Sequence, residues 1–99
     1  MVRFIHGHQY NIEIPDSVEK YLGGLSKDDC RGIIEKLDDL AQSSVSLNIK
    51  KLAGFKNMYR MRYRDYRIVY EIFESKIFIR VILIGQRKDV YHKLKRLFG

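Results

Sequence analysis

The sequence predicts an α+β domain: a small antiparallel sheet of about four strands, two N-terminal helices packed on one sheet face, and a short C-terminal helix. Two observations carry that prediction. Apolar residues recur at helical spacing through residues 26–41 and at a period of two through residues 58–73, so helices and strands are segregated along the chain. The 99 residues, 45% hydrophobic with one proline, suffice for one modest core and are too few for two.

Residues 1–8 carry no periodic pattern and are expected to be a loose N-terminal extension, leaving 9–99 as a single domain. In residues 9–15, Tyr10, Ile12 and Ile14 alternate with polar side chains, the signature of a strand with one buried face, and Pro15 ends it. Asp16 with Glu19 three residues on opens a short helix through Leu22 that can bury Val18, Tyr21 and Leu22, and Gly23 and Gly24 stop it. Ser26 with Asp29 is a second start signal. Behind it Cys30, Ile33, Ile34, Leu37, Leu40 and Ala41 share one helical face, opposite Asp28, Arg31, Glu35, Asp38 and Asp39. Cys30 therefore reads as a small core residue, with no neighbouring group to stabilise a thiolate. Residues 42–48 form a polar, serine-rich connection.

Beyond it the composition turns to strand formers and arginine. Residues 58–63 place Tyr59, Met61 and Tyr63 on one face and Arg60 and Arg62 on the other. Residues 66–73, with Tyr66, Ile68, Tyr70 and Ile72 on one face, follow after Arg64 and Asp65, so the two runs pair as a tight hairpin despite an unfavourable turn dipeptide. A turn at 74–76 leads into residues 77–84, apolar on both faces except for Arg80, which is the pattern of a central strand ended by Gly85. Asp89 caps a last helix with Val90, Leu94 and Leu97 at helical spacing and Lys93, Lys95 and Arg96 outside.

Charge divides the chain. Residues 1–47 hold five Lys/Arg against eight Asp/Glu, a net −3, and residues 48–99 hold fourteen against four, a net +10. Such asymmetry points to a polyanion or an acidic protein facing the second half, the alternative being a basic protein with neither. No run approaches eighteen apolar residues and no apolar leader opens the chain, so a membrane or export role is not expected and the cytoplasm is. Cys30, the only cysteine, forbids an intramolecular disulfide and any cysteine-rich zinc site.

Arg60, Arg62, Arg67 and Arg80 lie on the predicted strands, with Arg64 in the turn and Arg87 and Lys88 just past the last strand. The hairpin brings Arg67 beside Arg60 and Arg62, a phosphate-binding arrangement, because a planar guanidinium holds two phosphate oxygens at once and stays charged. Edge protection by charge is the alternative use of such residues. Tyr59, Tyr63, Tyr66, Tyr70 and Tyr91 interleave with the arginines, as on surfaces that bind single-stranded nucleic acid, though only Tyr91 is expected to face a ligand. His6 and His8 lack a third metal ligand, and His92 need not share a site with Tyr91 because successive helical residues diverge. No phosphate-cradling glycine loop, carboxylate pair or Gly-x-Ser-x-Gly occurs.

Lys51-Leu52-Ala53-Gly54, Tyr59-Arg60-Met61-Arg62, Asp65-Tyr66-Arg67-Ile68-Val69-Tyr70 and Ile84-Gly85-Gln86-Arg87-Lys88-Asp89-Val90-Tyr91 resemble the RelE/ParE superfamily of toxin-antitoxin toxins, and the last run resembles its RelE branch. The resemblance extends over about residues 9–98 and implies the RelE-like fold. It also implies a ribonuclease that enters the ribosomal A site and cleaves mRNA without metal or other cofactor, the 2′-OH attacking the adjacent phosphate. Arg60, Arg62, Arg67, Arg87 and Tyr91 match the family's catalytic positions, with Tyr91 stacking on or positioning the base. Arg64, Lys88 and Lys95 extend the basic surface as RNA contacts. Partners implied are a cognate antitoxin in a hetero-oligomer, the ribosome and mRNA. Relatives often carry lysine at the positions of Arg60 and Arg62, histidine at Gln86 and glycine at Arg64, so the general base is unassigned and His92 stands as its substitute. Two other functions fit the same residues: a ParE-like inhibitor of DNA gyrase, and a homologue that binds nucleic acid with weakened cleavage.

Overall fold

In the computed structural model, which describes residues 3–42 and 49–98, alternation and helical spacing resolve into strands β1 (Arg3–His6) and β2 (Asn11–Ile14), helices α1 (Asp16–Gly23) and α2 (Lys27–Gln42), strands β3 (Ile49–Lys51), β4 (Met58–Tyr63) and β5 (Tyr66–Phe73), a 3-10 turn (Glu74–Lys76), strand β6 (Phe78–Gln86) and helix α3 (Arg87–Phe98). The strands form one sheet in the order β1-β2-β6-β5-β4-β3. The segregated α+β architecture is as expected, but the sheet has six strands where about four were expected. Its β2–β6 pair is parallel, which the long connection through α1, α2 and β3 to β5 allows.

Both extra strands lie at edges. Residues 3–6, part of the segment expected to be loose, pair antiparallel with β2, Arg3 opposite Ile14 and His6 opposite Asn11. Their anchor is the end of α2: the amides of Gln9 and Tyr10 both donate to the Ala41 carbonyl, at 2.9 and 3.0 Å. Gly7 has no alternative there, since a Cβ would collide with the same carbonyl. At the other edge β3 places Lys50 opposite Arg60. Most of the connection expected at 42–48 lies outside the described residues, and Gln42 itself closes α2.

Period-2 alternation gives the sheet two apolar faces. On one, Ile12, Ile14, Met61, Ile68, Tyr70, Ile79, Val81 and Ile84 pack under Val18 and Leu22 of α1 and Ile33, Leu37, Leu40 and Ala41 of α2, with Cys30 half-buried at the margin. On the other, Met58, Val69 and Leu83 pack with Leu52 and with Val90 and Leu94 of α3. β6, apolar on both faces, is interior as expected. A register shift opposite Val69 and Tyr70 keeps its alternation in step with β5.

Helix starts differ in detail from expectation. Ser26 accepts the Asp29 amide at 3.1 Å and caps α2. Pro15, not Asp16, is the N-cap of α1, its carbonyl accepting from Val18 and Glu19. Gly85 does not end β6, because it pairs with Arg67, and α3 begins at Arg87, two residues before Asp89. Leu97 is 61% exposed and adds nothing to the core. Among the described residues no helix is long and apolar enough to cross a membrane, and no three His, Cys, Asp or Glu side chains gather as metal ligands.

Candidate functional site

On the α3 side of the sheet, beside the start of that helix, alternation leaves one row of cations. Arg60 and Arg62 project from β4 on the same face as the buried Met58, and Arg62 stands directly opposite Arg67 of β5. Arg67 in turn faces Gly85, which has no side chain to fill the space; a Cβ there would come 3.1 Å from Val90 of α3. The chain then turns into α3, whose first residue is Arg87, tied to the hairpin by an amide hydrogen bond to the Asp65 carbonyl at 3.2 Å. Lys50, Arg60, Met61, Arg62, Arg67 and Arg87 together line a concavity of about 290 Å³.

Arg67 is its electrostatic centre. It is 6% exposed, the only buried charged side chain among the described residues. Its Nη1 donates to the Tyr66 carbonyl at 3.3 Å, while its buried Nε has no partner. Burial first, then the neighbouring charges of Arg62, Arg87 and Arg60, push its pKa down, with the Tyr91 hydroxyl partly opposing them. Among the described residues no carboxylate pairs with Lys50, Arg60, Arg62, Arg67 or Arg87. A buried cation among like charges, with an idle donor, is costly for folding. An anion with several acceptor oxygens would relieve that cost, and a phosphate diester matches it.

Of the residues expected at the site, Arg60, Arg62, Arg67 and Arg87 are brought together. Tyr91 lies one helical turn beyond Arg87 on the same side of α3, 41% exposed. Lys88 and Lys95 are exposed on the outer flank of that side. Arg64 and Arg80 are elsewhere. Arg64 turns over the opposite face, its Nη1 on Asp29 at 2.7 Å and its Nη2 on Asp28 at 3.2 Å. Arg80 lies further along β6, paired with Glu13 and flanked by the rings of Phe73 and Phe78. His92 is not brought to the pocket: at 100° per residue it projects about 180° from the midpoint of Val90 and Leu94, straight away from the sheet. His6 bonds Asn11 at 3.2 Å near the β1 edge. Lys50 is a site residue that the sequence reading passes over. Its only signal is a three-residue strand preceding the hairpin.

Known proteins share both the sequence pattern and the fold of this chain. A family model described as the ParE toxin of type II toxin-antitoxin system, parDE, matches residues 17–91. Among solved structures, the archaeal RelE-RelB complex from Pyrococcus horikoshii OT3 matches at 28% identity and a TM-score of 0.70, covering 80% of this chain and 96% of that one. RelE in the RelB-RelE complex of Methanococcus jannaschii matches at 26% identity and 0.61, over 81% and 95%. The isolated RelE toxin of E. coli matches at 25% identity and 0.65, over 88% and 97%. No curated protein matches the chain in sequence.

Proposed function

The chain belongs to the ParE toxin family of type II toxin-antitoxin systems, within the RelE/ParE superfamily, and on that premise we propose that it is a ribosome-dependent mRNA endonuclease whose arginine pocket holds the scissile phosphate. The observation that carries the reading is Arg67, buried among like charges with its Nε unpartnered.

In this reading the ribose 2′-OH attacks the adjacent phosphorus, the bond to the 5′-oxygen breaks, and a cyclic phosphate and a 5′-hydroxyl are left. Charge grows on the non-bridging oxygens in the transition state, where Arg67 and Arg87 supply fixed donors and Arg60 and Arg62 add their fields. The positive charge that neutralises the phosphate comes from the guanidinium cluster. Arginine keeps its proton at any physiological pH, so none of the four accepts the proton from the 2′-OH. His92, on the side of α3 away from the sheet, is set aside for that step. Tyr91 stacks on or orients the base, and Lys88 and Lys95 track the strand on either side.

The antitoxin is an acidic or amphipathic chain that covers this surface in a hetero-oligomer, as RelB accompanies RelE in the archaeal complexes. A cytoplasmic location follows from a ribosomal target. A second reading, RNA binding with little turnover, draws support from the pocket's shortage of proton-exchanging groups.

Brief induction followed by mapping of mRNA 5′ ends tests the proposal. New 5′-hydroxyl ends inside coding regions are expected. Growth arrest with intact transcripts would overturn it, and inhibited supercoiling in a purified gyrase assay would put the ParE-like activity in its place.

A further inference from the structure

Arg64 occupies a position where the backbone is left-handed, with φ of +53°, a conformation that favours glycine. An arginine there has to be compensated, and its side chain shows how. The guanidinium reaches across to the first turn of α2, where Asp29 Oδ1 accepts from Nη1 at 2.7 Å and Asp28 Oδ2 from Nη2 at 3.2 Å. Asp29 is engaged twice, since its Oδ2 also accepts the Tyr66 hydroxyl at 2.9 Å. Both carboxylates sit at a helix N-terminus, where negative charge is favoured, so the acceptors are themselves held in place. One turn further along α2, Gly32 lets the Tyr63 ring lie against the helix backbone, because a Cβ at that position would collide with the ring and its hydroxyl. Arg64 stacks on the same ring at 5.2 Å. The tip of the β4–β5 hairpin is thus fastened to α2 on one side. On the other side, the carbonyl of the adjoining turn residue, Asp65, accepts the amide of Arg87.

We propose that the Arg64–Asp28–Asp29 clasp holds the hairpin tip so that Asp65 fixes the start of α3 and with it the placement of Arg87 against Arg67. Arg64 is then a positioning residue rather than an RNA contact. Half of this claim, the mechanical link from clasp to Arg87, is independent of function. The other half, its effect on phosphate binding, rests on the proposed RNA-binding role.

The test uses the full chain with Arg64→Gly, which suits the positive φ while deleting the clasp, and with the Asp28→Asn/Asp29→Asn double variant. Hydrogen exchange is read at the Arg87 amide, with the Ile79 amide as a core control. Both variants should speed exchange at Arg87 by about two- to fivefold, the scale of a lost exposed ion pair, beyond any change at Ile79, whose buried amide follows global unfolding. The second readout is affinity for a short single-stranded RNA whose scissile ribose is 2′-deoxy. The clasp requires both variants to weaken binding by a similar factor with the salt dependence of wild type. A direct Arg64–phosphate contact would instead lower the salt slope by about 0.7 in that variant alone. Simple electrostatics would make the carboxylate variant bind more tightly, so the sign of its effect separates the two accounts. Unchanged exchange at Arg87 in both variants, or a reduced slope for Arg64→Gly alone, overturns the clasp. If wild type binds no RNA, the endonuclease reading fails and the exchange data still decide the mechanical link.

Discussion

Arg64 and Arg80 on one side, and Arg60, Arg62, Arg67 and Arg87 on the other, are the same side chain in opposite circumstances. The first two are spent on carboxylates: Arg64 on Asp28 and Asp29, Arg80 on Glu13, 67 residues away. The other four converge on one concavity, where none of them has a carboxylate partner among the described residues. Arginine density alone would have merged the two groups. What separates them is charge balance: a paired guanidinium serves the fold, while an unpaired one pressed against its own kind weakens the fold and marks a place for an external anion.

Arg67 lies at the centre of the unpaired group. Arg67→Ala should lower cleavage by about 10²–10³-fold, the usual cost of removing one preorganised donor. Arg67→Met should be equally inactive but more stable by about 1–4 kcal/mol in urea unfolding, because a buried charge is exchanged for an apolar chain of similar reach. A loss of stability in Arg67→Met would mean that Arg67 is structural. Arg87→Ala, at the exposed rim, should cost about 10²-fold in activity with stability within about 0.5 kcal/mol of wild type.

Gly32→Ala probes the fastening of the hairpin. Alanine is the better helix former by about 1 kcal/mol, yet the collision with Tyr63 should make the variant less stable by about 1–3 kcal/mol, read as a lowered melting temperature. Arg80→Ala should leave cleavage at the wild-type rate and cost about 0.2–1 kcal/mol, as befits a partly exposed ion pair. The smallest effect concerns pH. Burial, then the neighbouring Tyr59 and Tyr10, raise the Tyr70 hydroxyl above its ordinary 10.0, and a hydrogen bond to Asp29 raises Tyr66. The fold favours the protonated form of each. Stability should therefore be level below pH 10 and fall as pH rises through 10, by up to about 1.4 kcal/mol per unit for Tyr70; unfolding midpoints at pH 8, 9 and 10.5 check it.

What the sequence disclosed follows the reach of its signals. Six alternating residues in β4 sufficed to put Arg60 and Arg62 on one face and Tyr59 and Tyr63 on the other, and the spacing of α2 named its buried side chains before any contact was visible. β3, three residues long, is below the length at which alternation can be read, so nothing local marks Lys50. β1 is fastened by the carbonyl of Ala41, which local pattern does not encode. The partners of Arg64 and Arg80 are similarly remote, so face assignment was readable while charge balance was not. Gly32 did leave a trace: glycine inside a strongly periodic helix is a poor helix former and signals a close approach, here by Tyr63. His92 was adjacent to Tyr91 in sequence, but the helix rotates it out of reach.

On the proposed reading, the unpaired arginines work on the message and the paired ones do not. Cleavage of ribosome-bound mRNA in a purified translation reaction, with wild type, Arg67→Ala and Arg80→Ala side by side, addresses it most directly. Wild type and Arg80→Ala should cut message at equal rates, with a loss of at least about 10²-fold in Arg67→Ala. Equal activity in all three, or an equal loss in both variants, would contradict it.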